Sequence, residues 1–396
     1  MNKRWLHGLI PAVLAAVTLT GCNTASAATP VNSMSKASNM QESSNTTNSS
    51  AGMGSGNSAA MGSTASTMSN TTASSNSSMG KSQTAIPKLH TSDILVGAAA
   101  SAPMGPGNGE FLMASVGQGK LIRIPLASGA NGFKVAISGN TAYVPTLQGQ
   151  TYVVNLQSHM ITGQFATPSG ARIANLGNNG RLLVITGAKS VTAYSLPSHT
   201  MAWQLKAGGN ALAIAGRTAY LSGNSMGHTD IIDLASGKVT GTIPVGHIED
   251  SVYDRQTHTL WLADWTNGDM TVVNTQNDKV VATIHRAEGG GFSMQNMMSS
   301  TGGFMQVTVG PNGKYVYAAS FSGNIMVYNA KTNTFAKDIT VGTTAKLSGI
   351  AIDPSDKYIY TTVENKQETV AVSVATGKAV WTLPGVMANR WTVIHN

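Results

Sequence analysis

One cysteine stands among 396 residues. A single thiol makes no internal disulfide, so no bridge framework braces this chain. Charge is scarce as well: Asp, Glu, Lys and Arg make up 11% of the residues, under half the usual share of about 25%. Thr, Ser, Asn, Gln and Gly must cover the surface instead. Few carboxylates also means that little stability is lost as they protonate, which suits an acidic external medium. The formal net charge is +8, yet Lys and Arg form no cluster, so no nucleic-acid partner is expected. No Gly-x-Ser-x-Gly elbow, His-Glu-x-x-His helix or phosphate-binding loop occurs, so no catalytic residue is assigned. Helical periodicity is missing from the region after residue 84.

What is present begins at the N-terminus. Lys3 and Arg4 precede an apolar stretch from about Leu9 to Leu19, which ends in Leu19-Thr20-Gly21-Cys22. A charged start, a short apolar core and small residues at its end make a secretory signal. The core is too short for a permanent membrane-spanning helix. Cysteine directly after Leu-Thr-Gly resembles the lipobox of bacterial lipoproteins. The resemblance implies cleavage before Cys22 and a diacylglycerol on its sulfur, hence a membrane contact through lipid outside the cytoplasm. Asn23 follows where Asp would retain the protein at the inner membrane. This implies the outer membrane or periplasm in a Gram-negative cell, and otherwise the outer face of the cytoplasmic membrane. An ordinary signal cut near Ala25 or Ala27 is the alternative.

Three regions are expected: a signal over 1–21, a tether over 22–84 and a folded domain over 85–396. Between Asn23 and Gly80 the only charged residues are Lys36 and Glu42, and no aromatic residue occurs. Such a segment cannot offset its ordering entropy and is expected to stay disordered, with a reach of roughly 40–45 Å. Its methionines (Met34, Met40, Met53, Met61, Met68 and Met79) are soft thioethers of the kind that select copper(I), or simple low-complexity drift.

Repeats carry the fold. The segments 141–155, 259–274 and 314–329 each read as a short apolar strand, a polar Gly/Asn turn, and an alternating strand ending in Asn. Further Gly-containing turns at 235–243 and 375–383 add another strand to the unit. Centres at Leu112, Tyr143, Leu183, Tyr220, Trp261, Val316 and Ile359 give seven units. Four short antiparallel strands repeated radially make an all-β, seven-bladed β-propeller. Pro311–Ala319 and Asp353–Thr361, with Gly323–Asn329, resemble the YVTN family of seven-bladed propellers. That resemblance implies the fold and leaves the ligand open. Closure is expected through Arg390–Ile394 as the innermost strand of the unit containing Phe111–Leu126, with Ile94–Gly97 as the alternative.

Two places could hold chemistry. The innermost strands start near the central channel at Lys134, Arg172, Asn210, Asp250, Gln306, Ser348 and Arg390. A mixed basic ring there suits a small anion or an acidic peptide. The second place is the long insertion from Glu288 to Met305. Met294, Met297, Met298 and Met305, with His285 at the entrance, offer thioether and imidazole ligands suited to copper, or adaptable apolar filler. His159, His199 and His258 fall in turns, and Asp264 reads as a turn residue. The function expected is a non-catalytic binding or scaffold module for a protein, surface ligand or metal at the cell envelope, acting as a monomer. A copper(I)-handling protein is one alternative. A propeller enzyme, lactonase-like or quinone-dependent, is another by analogy of fold alone.

Overall fold

The computed structural model describes residues 81–100 and 109–395. Cys22, the signal over 1–21 and the tether up to residue 80 lie outside them. The described residues form seven antiparallel sheets, six of four strands and one of five. The chain is a seven-bladed β-propeller. Among these residues no helix is long and apolar enough to cross a membrane.

One local rule recurs in every blade, at the turn from the third to the fourth strand. Asn155, Ser195, Asp233, Asn274, Asn329 and Ser373 end third strands. Four residues later stand His159, His199, Gly237, Asp278, Asn333 and Gly377, all with positive φ between 53° and 68°. The Asn155 side-chain oxygen accepts from the backbone N–H of Gln157 at 3.0 Å and Ser158 at 2.7 Å. Asn329 does the same for Lys331 and Thr332 at 3.0 and 3.1 Å. A short polar side chain thus satisfies the turn's backbone while a residue tolerant of left-handed φ closes it. His159 and His199 are fixed by this geometry, and His258 takes the same conformation (φ 56°) in another turn. Asp264 likewise caps a turn, accepting from the N–H of Thr266 and Asn267 at 2.7 and 3.1 Å.

Blade 2 shows the common plan: Ala136–Ser138 innermost, then Thr141–Pro145, Gln150–Asn155 and Met160–Ala166 outermost. The middle strands are buried and the outermost is largely exposed. In blades 2 to 7 the third and fourth strands slip register by a bulge, which increases twist toward the rim. Cores lie between neighbouring blades. Trp261, Met270 and Val272 pack against Phe304, Val316, Met326 and Tyr328 across one such seam. Each large side chain buried this way contributes about 1.5–3 kcal/mol. Second-strand tyrosines also tie blades together: Tyr220 donates to Asp278 at 2.7 Å, Tyr317 to Asp356 at 3.2 Å, and Tyr360 to the buried Asp93 at 2.6 Å.

Ring closure falls in blade 1, whose order is Ser82–Ala85, Lys120–Pro125, Glu110–Ser115, Asp93–Ala98 and Thr392–His395. The C-terminal strand is innermost, and Arg390 just before it bridges Gly349 in parallel, as Lys134 bridges Ile173. It pairs with Asp93–Ala98, so Ile94–Gly97 is the second strand and Leu112 lies on the third. The other six unit centres, Tyr143 to Ile359, stand on second strands. The turn Ser115–Gly119, with φ 71° at Gly119, matches the third-to-fourth turns elsewhere. The first strand among the described residues is Ser82–Ala85, where the domain was expected from residue 85. The strand Ser82–Ala85 is polar but for Ala85 and exposed throughout, so apolar alternation does not mark it.

Candidate functional site

Loops joining each outermost strand to the next innermost strand gather on one face. There Phe133, Lys134, Arg172, Ile173, Asn210, Glu249, Asp250, Met305, Gln306 and Arg390 line a small cavity at the channel mouth. Six of the seven positions expected at innermost-strand starts therefore meet: Lys134, Arg172, Asn210, Asp250, Gln306 and Arg390. Ser348 is the departure. A bulge between Ser348 and Ala351 displaces the start of its strand, and its buried hydroxyl donates to Glu364 instead. Burial pushes the Glu364 carboxyl up to about 7.

Two ion pairs organise the mouth. Arg390 and Asp250, both buried, bond to each other, and Asp250 also accepts the Val307 N–H at 2.8 Å. Arg172 reaches Glu249 at 3.5 Å and lies 4.4 Å over the Phe133 ring. Glu249, which is not among the expected innermost-strand starts, is the second acid of the mouth. A bulge between Ile248 and Asp250 brings Glu249 and Asp250, adjacent in sequence, to the same cavity, as bulges re-aim side chains. A similar bulge between Phe304 and Gln306 accompanies Met305 in the lining. The Glu249 carboxylate accepts from Asn210 and Asn224, each at 2.7 Å. Burial raises its pKa against the opposing pull of Arg172, Asn224, Arg390 and Asn210.

Lys134 differs from its neighbours. Its ammonium has no hydrogen-bond or ion-pair partner among the described residues. Burial, and then the Arg390 charge, lower its pKa to about 7. Burial also lowers Arg390 to about 9, with Glu249 opposing and Arg172 assisting. The buried Nε of Arg172 has no acceptor. Three cations thus face two carboxylates, leaving one positive charge in excess when all are ionised.

The cavity offers about 20 Å³ to the centre of a water-sized body, room for about one such body. Below it the channel widens to about 270 Å³, lined by innermost-strand residues including Val252, Val309, Ile350 and Ile352, and by Pro311, Pro354 and Trp391. Lys134 and Arg390 belong to both linings.

The insertion lies on the mouth's face, between Gly290 and Phe304. Met305 is buried with Trp265, Phe292 and Phe321, and Met297 packs against them. Trp265 and Phe292 stack at 4.3 Å. Lys346 holds the loop by donating to the carbonyls of Ser300 and Phe321. Met294 and Met298 are exposed, and His285 bonds Asp269 at 2.9 Å. Two of the four methionines are thus apolar filler. Among the described residues no group of three or more His, Cys, Asp or Glu is placed to hold a metal.

No family model matches this chain, and no curated protein does. Among solved structures it is similar to a chain of the Kuenenia stuttgartiensis hydrazine synthase. The two are 16% identical with a TM-score of 0.55, over 67% of this chain and 95% of that one. What they share is a fold. With 1782 solved chains matching, so common an architecture leaves function to the particular site.

Proposed function

We propose that this protein is a binding module of the cell envelope that takes a small anion, or a single acidic group of a larger partner, at its channel mouth. One observation carries the reading: Lys134, a cation with no partner among the described residues, lines a cavity of single-ligand size with Arg172 and Arg390. A half-buried cation beside a second cation is costly. A bound anion would remove that cost. Backbone and side-chain donors already fix Glu249 and Asp250, so the site is preorganised.

Formate is a suitable probe because one carboxylate fills the space. Calorimetric titration at pH 6 should give saturable binding that Lys134→Met weakens at least tenfold. Binding that tracks ionic strength alone, unchanged in Lys134→Met, would refute the reading.

The envelope location rests on Cys22 and its lipobox-like setting, and the YVTN-like repeats at 311–319 and 353–361 belong to the same reading. Intact mass of protein extracted from membranes should exceed that of the chain from Cys22 by a diacylglycerol. Cys22→Ser should release the protein to the soluble fraction. An unmodified mature chain starting near residue 26 or 28 would remove the anchor.

A further inference from the structure

The wide lower part of the channel has walls unlike those of the mouth. Val309 and Ile352 hold the same register in adjacent blades, opposite Val316 and Ile359. Both keep partial exposure and line the cavity of about 270 Å³. Val252 and Val393, also partly exposed, complete the apolar wall, with Ile350 and Trp391 buried behind it. Channel water therefore meets aliphatic surface from several blades, beside the polar side chains of Thr308 and Thr392. At one end of this wall stand Lys134 and Arg390, shared with the mouth. Arg390 already has Asp250, whereas Lys134 has no partner among the described residues. An apolar cavity ending in one free cation is complementary to a ligand with an apolar body and one anionic head. A volume of about 270 Å³ lies just under the usual range of about 300–1,000 Å³ for small-molecule pockets, which selects a medium-length chain over a full lipid.

We propose that the lower channel binds amphiphilic monocarboxylates, with the alkyl tail against Val252, Val309, Ile352 and Val393 and the carboxylate on Lys134. This rests on the reading of Lys134 as an anion-binding cation and extends it to a class of ligand. The tail supplies affinity through buried apolar area, and the head fixes orientation along the channel.

The test is calorimetric titration of the full chain at pH 6 with octanoate, 1-octanol and acetate. Octanoate should bind at least tenfold more tightly than either control, because only it carries both tail and charge. Val309→Trp, which fills the wall, should cost octanoate at least tenfold in affinity and leave formate binding at the mouth unchanged. Arg172→Met should do the reverse, since Arg172 lines the mouth alone. If Val309→Trp does not fold, Thr308→Tyr occludes the same lining. Octanoate no tighter than acetate, or insensitive to the filled wall, overturns this proposal while formate binding upholds the mouth. Octanoate binding without formate binding upholds this site and removes the small-anion reading.

Discussion

Replacing Lys134 by Met should make the protein more stable and less able to bind. The unfolded chain holds the Lys134 proton up to its ordinary value of 10.5, and the folded chain only up to about 7. Between those values unfolding takes up a proton, so stability rises with pH through that window. Below about 7 both states are charged and the whole cost of burial stands. At about 1.4 kcal/mol per unit, the displacement sets a ceiling of about 5 kcal/mol. Channel water beside a half-buried side chain screens part of this, leaving about 2–3 kcal/mol. Urea unfolding at pH 6, 8 and 10 measures it. Lys134→Met should exceed the wild type by that amount at pH 6, and the gap should close toward pH 10. The same charge should govern binding, with formate affinity falling as pH rises through about 7. A gap that does not vary with pH, or a variant less stable than wild type at pH 6, would refute the argument that this ammonium is buried for binding.

Three further outcomes follow from contacts elsewhere. Asp250→Asn leaves Arg390 as an uncompensated buried charge and should cost about 3–5 kcal/mol in urea unfolding; a cost below 1 kcal/mol would mean that water reaches the pair. Tyr360→Phe removes the hydroxyl that donates to buried Asp93 across the closure seam, and should cost about 1–3 kcal/mol as a lower thermal midpoint. His159, at φ 58°, should tolerate Gly within about 1 kcal/mol, whereas His159→Val should cost about 1–2 kcal/mol, because a β-branched residue resists left-handed backbone.

Spacing carries the fold because each blade repeats a turn with its own chemistry. Asn155 with His159 and Asn329 with Asn333 are the same device in different letters. Innermost-strand starts could be placed from those turns, which is why Lys134, Arg172, Asn210, Asp250, Gln306 and Arg390 converge as their spacing suggests. The misses have one physical source. Bulges insert a residue and change which side chains face the channel, and three successive blades carry one at the mouth. They bring in Glu249 and Met305 and turn Ser348 toward Glu364. Alternation cannot show a bulge, since it marks where the period of two breaks. The methionine loop was legible as an insertion, but its aromatic partners, Trp265 and Phe321, lie in other strands and turns.

Blade 1 takes the chain in at one edge and ends it at the other. Ser82–Ala85 pairs only with Lys120–Arg123, while Thr392–His395 closes the ring with three strands between them. A pull arriving from the N-terminal side therefore loads an exposed polar strand first, which peels from Ser82 onward. The seam made by Asp93, Tyr360 and the C-terminal strand lies beyond that strand and two more. The entry strand and the ring closure are thus separate edges of one sheet, so losing the first leaves the closing hydrogen bonds in place.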